Sequence, residues 1–207
     1  MTNFIRAAID PEFHDRKHLK AIRLFFPYLT MDNGPWIAGG AARRVFQNSE
    51  CESGGDIDVY FPSLEMYNWG AEFLRQFAPN LYPFPGGTNG TTTAVGGREP
   101  FNVQLHCKHF PKSAEEILYR YDFSVTKFVT DGEEILYDPE CLPHLKNKLL
   151  TSKLKYSKPK PKRLGKYCSY GFTPTPGMLA QIMNINDPAF GTMFEDDLTC
   201  GKEEDYG

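Results

Sequence analysis

Asp56 and Asp58 stand one residue apart in the run Gly55-Asp56-Ile57-Asp58-Val59-Tyr60-Phe61. On an extended strand alternate side chains share a face, so the two carboxylates project together while Ile57 points the other way. Two clustered carboxylates repel unless a cation lies between them, and hard oxygen donors suit Mg2+. Upstream, Trp36-Ile37-Ala38 runs into Gly39-Gly40 and then Ala41-Ala42-Arg43-Arg44-Val45-Phe46. A glycine pair lets backbone amides approach a phosphate closely, and the N-terminus of the following helix favours negative charge. A metal-binding pair beside a phosphate cradle predicts nucleotidyl transfer.

These groups need rigid elements to position them. Pro11 to Phe26 carries helical spacing and stops at Pro27. Pro35 to Ala38 reads as a short buried strand, Ala41 to Phe46 as a helix, and Asp56 to Phe61 as a second strand. Ser63 is placed to N-cap a helix from Leu64 to Phe77. The glycine- and threonine-rich segment FPGGTNGTTTAVGGREP reads as a flexible hairpin rather than a core element. From Phe101 to Cys107 the pattern alternates, with Val103 and Leu105 on one face and Asn102, Gln104 and His106 on the other. Ser113 and Glu116 form a capping-box pattern for a helix through Tyr119. Ser124 to Val129 and Glu134 to Tyr137 read as strands joined at Asp131-Gly132. Beyond Leu142 the pattern is helical, interrupted by Pro159 and Pro161, and the acidic residues from Phe194 read as a frayed tail.

Several segments, taken in order, resemble one family: the class II tRNA nucleotidyltransferases and bacterial poly(A) polymerases of the DNA polymerase β superfamily. GGAARR (Gly39 to Arg44) is similar to that family's GGxVRD turn, and DID (Asp56 to Asp58) to its metal-binding DxD. RYDFSVTKFVTDGEEILYDPECLPHLKNKLL, from Arg120, follows the second motif, an RRDFTINA run succeeded by a hairpin, an Asp-Pro and a helix. KRLGKYCSYGF (Lys162 to Phe172) resembles a later helix that ends in Gly-Phe. The resemblance implies an α/β (α+β) nucleotidyltransferase fold: a small mixed sheet flanked by helices on one side, then a short helical neck. It implies a catalytic head over 1–140, a basic neck over 141–193 and a tail over 194–207. In this reading Asp56 and Asp58 hold Mg2+, Gly39, Gly40 and Arg43 cradle the triphosphate, and Arg120 and Asp122 contact the nucleotide.

The departures from the family are specific. Arg44 stands where the family has Asp, and Tyr121 replaces the second Arg of RRD. The base-reading EDxxR helix and the long helical tRNA-binding body have no counterpart, so nucleotidyl transfer is expected and CCA addition is not. The third carboxylate that many superfamily members carry beside the DxD pair is missing. Asn102, Gln104 and His106 occupy that strand face, with Glu99 just before it. A lone histidine on a strand reads as structural, so His106 is set aside as a general base.

Charge distribution bears on the acceptor. The net charge of −3 hides a span, Leu142 to Asn186, without any acidic residue. It holds Lys146, Lys148, Lys153, Lys155, Lys158, Lys160, Lys162, Arg163 and Lys166. A basic block on an acidic body is the pattern of a surface that meets a polyanion. The residues Lys153, Lys155, Lys158, Lys160, Lys162, Arg163 and Lys166 are therefore candidates for an RNA backbone, with an NTP (ATP) as donor and an RNA 3′ hydroxyl as acceptor. Two other readings stand beside it: transfer to a protein, a small molecule or tRNA in a toxin-like role, and a silent nucleotide- or nucleic-acid-binding module. Five widely spaced cysteines without a CxxC pair argue against zinc or a disulfide framework and for a reducing compartment. No signal-peptide pattern or membrane-length apolar run is present, so a cytoplasmic protein is expected.

Overall fold

A computed structural model describes residues 3–9, 28–47, 56–76, 82–84, 87–95, 101–152 and 161–182. The helix expected over Pro11–Phe26, the lysines at 153, 155, 158 and 160, and the acidic tail lie outside the described residues. The chain divides into two compact units, Met1–Tyr121 with Thr126–Pro139, and Asp122–Val125 with Glu140–Gly207.

The first unit is built on β1 (Ile5–Ala8), β2 (Trp36–Ala38), α1 (Gly40–Gln47), β3 (Ile57–Tyr60), α2 (Leu64–Arg75), β4 (Tyr82–Phe84), β5 (Gly87–Val95), β6 (Phe101–His106), α3 (Ala114–Arg120), β7 (Phe128–Thr130) and β8 (Glu134–Tyr137). Its strands form one mixed sheet in the order β1-β8-β7-β2-β3-β6-β5-β4. Only the β3–β6 pair is parallel among these neighbours. The sheet is larger than the small one expected, partly because the threonine-rich segment is a nine-residue strand paired along β6 from Gly90 to Val95. Three consecutive β-branched residues, Thr91 to Thr93, favour that extended backbone despite the glycines around them.

Helices cover both faces rather than one. Asp58 lies opposite Ala38, and Tyr60 opposite Trp36, so these four share a face with Val129, the partner of Ala38. Helix α3 closes that face, where Ala114, Ile117 and Leu118 join Trp36, Ala38, Val129 and Leu136 in one buried cluster. On the opposite face Ile57, Val59, Val103 and Leu105 are fully buried. There Phe61 packs edge-on against Tyr67 of α2, and Phe46 of α1 packs on Phe128 and Tyr137. Both faces carry apolar side chains, so each requires a cover. Gly70 lets α2 approach closely, since a Cβ there would meet the Phe61 ring at 2.5 Å.

Local signals set the element ends. Ser63 Oγ accepts from the Met66 amide (3.2 Å), and Ser113 Oγ from the Glu116 amide (3.4 Å). The Glu116 carboxylate returns to the Lys112 amide rather than that of Ser113, one position short of a reciprocal box. Asp131 Oδ1 accepts from Glu133 and Glu134, and Gly132 takes φ +96°, closing the β7–β8 turn. Ser124–Thr126, expected as strand, is a 3-10 turn. Its Ser124 amide bonds to the Thr151 carbonyl (3.0 Å) and Ser124 Oγ accepts from the Thr151 hydroxyl, which diverts the chain from the sheet.

The second unit contains α4 (Cys141–Lys146), β9 (Leu149–Leu150), α5 (Pro161–Ser169), β10 (Thr173–Pro174) and α6 (Pro176–Ile182). β9 and β10 pair in parallel. Helix α5 ends at Gly171 (φ +82°), with the Phe172 amide bonded to the Tyr167 carbonyl and the Gly171 amide to that of Cys168. This is a Schellman ending, and it is what the Gly-Phe in the sequence encodes.

Candidate active site

The β2–α1 turn is a tight backbone bend that only glycine makes without strain. Gly39 takes φ +71°, its amide bonds to the Phe128 carbonyl (2.9 Å), and its own carbonyl accepts from the Arg43 amide (2.9 Å). Tyr121 lies directly over it: a Cβ at Gly39 would be 2.6 Å from the Tyr121 hydroxyl. Gly39→Ala therefore imposes both a disfavoured φ and a clash. A stability loss of about 1–3 kcal/mol in urea unfolding, with nucleotide affinity falling alongside, is the expected result.

Arg43 and Arg44 follow on α1, and both are buried. A side chain on a helix leans toward its N-terminus, which brings Arg44 back over the first turn. Its Nη1 reaches within 3.3 Å of where a Cβ at Gly40 would sit, and its Nη2 donates to the Asp56 carbonyl at 3.4 Å. Arg44 Nε has no hydrogen-bond partner among the described residues. The residue that departs from the family motif thus joins the glycine turn to the strand carrying the carboxylates.

Asp56 immediately precedes β3, and Asp58 lies within it, opposite Ala38 on one side and Gln104 on the other. Both carboxylates are half-buried. The Asp56 side chain has no hydrogen-bond or ion-pair partner among the described residues. The Asp58 Oδ1 accepts from His106 Nε2 at 2.9 Å. His106, set aside in the sequence, is thus bonded to one of the two predicted metal ligands. Its ring stacks on Tyr60 with centroids 4.3 Å apart and planes 1° from parallel. The Tyr60 hydroxyl lies 3.4 Å from that of Tyr121. The signal available in the sequence was the shared alternation of the two strands; the register that makes it a contact was not.

Among the described residues no three His, Cys, Asp or Glu side chains are grouped to hold a metal. The donor set is instead a carboxylate pair with Asp56 uncommitted and one oxygen of Asp58 engaged. That set fits a hard divalent cation that takes its remaining oxygens from a phosphate and water, the usual habit of Mg2+.

Arg120 ends α3 in an exposed ion pair with Glu116 (3.0 Å). The Lys112 amide and the Arg120 guanidinium hold the Glu116 carboxyl below the usual carboxylate range. In the second unit Asp122 is buried, accepting from the Phe123 amide at 2.9 Å and pairing with Arg163 at 2.8 Å. The Arg163 guanidinium also covers the Phe123 ring, 5.7 Å from its centroid. Asp122 and Arg163, a predicted nucleotide contact and a predicted RNA contact, are therefore partners of each other. Lys162 and Lys166 are exposed on α5.

The fold is similar to that of CCA-adding enzymes. A CCA-adding enzyme with ATP is 17% identical with a TM-score of 0.59, over 94% of this chain and 51% of that one. The Thermotoga maritima CCA-adding enzyme complexed with tRNA gives 17% and 0.56, over 94% and 51%. The Bacillus stearothermophilus enzyme in complex with CTP gives 16% and 0.55, over 92% and 49%. The chain spans about half the length of these proteins, and at such identity the likeness shows a nucleotidyltransferase fold. No curated protein matches the sequence. Among the described residues no helix is long and apolar enough to cross a membrane. Residues 11–148, about two-thirds of the chain, match the family described as Gad2, Gabija anti-defense 2 family protein, rather than a poly(A) polymerase family. The chain belongs to the Gabija anti-defense 2 family and carries it on a nucleotidyltransferase fold.

Proposed function

We propose that this protein is a magnesium-dependent nucleotidyltransferase that moves NMP from an NTP, ATP in the first instance, to an acceptor hydroxyl with release of pyrophosphate. The observation that carries the reading is the half-buried Asp56–Asp58 pair, one member uncommitted, on the strand next to the Gly39-Gly40 turn. Asp56 and Asp58 would hold the Mg2+, which when bound neutralises phosphate charge and eases deprotonation of an attacking hydroxyl. Gly40 opens α1, where an anion is favoured, and Gly39, whose amide donates to the Phe128 carbonyl, supplies the turn that sets that helix start. Arg43 and Arg44 add fixed positive charge to the same turn, positioned before the nucleotide arrives. Arg120, at the end of α3, is a further proposed nucleotide contact.

An RNA 3′ hydroxyl is the first acceptor, on the strength of the basic block. The second reading is transfer onto a component of the Gabija defence, a protein hydroxyl or a small molecule, and the family description favours it. Incubation with each α-labelled NTP and either RNA or the defence components distinguishes them. Label from ATP entering RNA is the expected result. Label entering a defence component and not RNA makes the second reading correct. No transfer from any NTP to any acceptor leaves a silent binding module.

For an RNA acceptor, binding must weaken as salt rises, because each lysine–phosphate contact releases counterions. Replacing Lys153, Lys155 and Lys158 by Gln is expected to flatten that salt slope by about two to three. A triple variant that binds RNA as the wild type does removes the polymer acceptor.

A further inference from the structure

We propose that His106 is a positioning residue for Asp58, holding its carboxylate in one orientation toward the cation, and that Tyr60 holds the imidazole for that task. The inference rests on the nucleotidyl-transfer reading and concerns the strand face on which this chain lacks the superfamily's third carboxylate.

The placement follows from the parallel β3–β6 register. Asp58 lies opposite Gln104 and Tyr60 opposite His106, so His106 and Asp58 are diagonal neighbours on one sheet face. Nε2 donates to Oδ1 at 2.9 Å and both side chains are about three-quarters buried, so the bond is partly shielded from competing water. One carboxylate oxygen is thereby engaged, and among the described residues no hydrogen bond claims the other, leaving it for a cation. A freely rotating aspartate would have to be ordered each time a cation bound; this one is ordered beforehand.

The imidazole itself has little freedom. It lies flat on Tyr60, whose hydroxyl reaches the Tyr121 hydroxyl, whose ring in turn covers Gly39. A continuous set of contacts thus runs from the carboxylate to the glycine turn through His106, Tyr60 and Tyr121. Tyr121, which differs from the family motif, and His106, on the strand face where many superfamily members carry a third carboxylate, here belong to one arrangement. Nε2 of His106 is directed at the Asp58 carboxylate, which gives this nitrogen a supporting rather than a ligating place. Outer partners of metal-binding side chains commonly contribute 10–100-fold to metal affinity.

The test is Mn2+ binding to the full chain without nucleotide, read by electron paramagnetic resonance of the free ion. His106→Ala is expected to weaken Mn2+ binding by about 10–100-fold. His106→Gln, whose amide also donates, is expected to recover it to within a few-fold, and Tyr60→Phe, which keeps the stacked ring, to bind as the wild type does. Should His106→Ala fail to fold, His106→Leu, which keeps the buried bulk but cannot donate, takes its place in each comparison with the same expected loss. Wild-type affinity in His106→Ala, or a loss in His106→Gln equal to that in His106→Ala, overturns the positioning role alone. Wild-type protein that binds no Mn2+, indistinguishable from Asp58→Asn, overturns the metal reading and the positioning role together.

Discussion

Asp58→Ala and Asp56→Asn are each expected to lower transfer by at least about a thousandfold, since a lost metal ligand removes several kcal/mol of charge stabilisation where phosphate charge develops. Folding should survive. Neither carboxylate is fully buried, and the Asp56 side chain bonds to nothing among the described residues. In Asp56→Asn, removing one of two like charges relieves repulsion, so the unfolding midpoint without Mg2+ should stay constant or rise slightly; in Asp58→Ala that relief is offset by loss of the His106 bond. Asp58→Ala also releases His106, which keeps its stack on Tyr60. Turnover equal to wild type in either variant would refute the metal assignment, and loss of folding in both would make the pair a structural feature. Circular dichroism beside the transfer assay separates these outcomes.

The largest stability effect is expected at Asp138, far from the chemistry in role. Lys127 Nζ lies 3.6 Å from Asp138 Oδ2, and the two side chains are 4% and 1% exposed. The Asp138 amide also bonds to the Lys127 carbonyl (3.4 Å), so side chains and backbone tie the start of β7 to the end of β8. Asp138→Ala removes the buried carboxylate that faces the Lys127 ammonium, and the expected loss is about 3–5 kcal/mol in urea unfolding. At this chain length that corresponds to a drop in melting temperature of roughly 10 °C. The double variant Lys127→Met, Asp138→Leu removes both charges and should regain much of the loss, because a buried ion pair is often replaceable by packed apolar side chains. A single-variant loss below about 1 kcal/mol would show that the pair is not held as a buried ion pair.

The sequence by itself determined what local physics controls. The alternation around Asp56 and Asp58 sets the face they share, because side-chain direction on a strand depends only on position parity. Gly39, Gly132 and Gly171 all take positive φ, where their neighbours had marked a turn. Ser63 and Ser113 cap their helices through contacts three residues away. Each of these is settled within a few residues of chain.

Tertiary structure decided what depends on register and on partners far along the chain. The His106–Asp58 bond joins residues 48 apart and exists only because β6 pairs in parallel with β3 at one offset. A one-residue slip would send His106 to the other face. Asp122 and Arg163 were separately legible as a carboxylate and a cation, yet their ion pair depends on where α5 lies within its unit. The threonine-rich segment became a sheet strand because β6 offered an unpaired edge, a circumstance that composition does not record. Arg44 was visible as a departure from a motif, but its reach to the Asp56 carbonyl required helix and strand to be brought together. Residue types and short spacings named the carboxylate pair and the glycine turn; long-range pairing supplied the side chains packed and bonded around them.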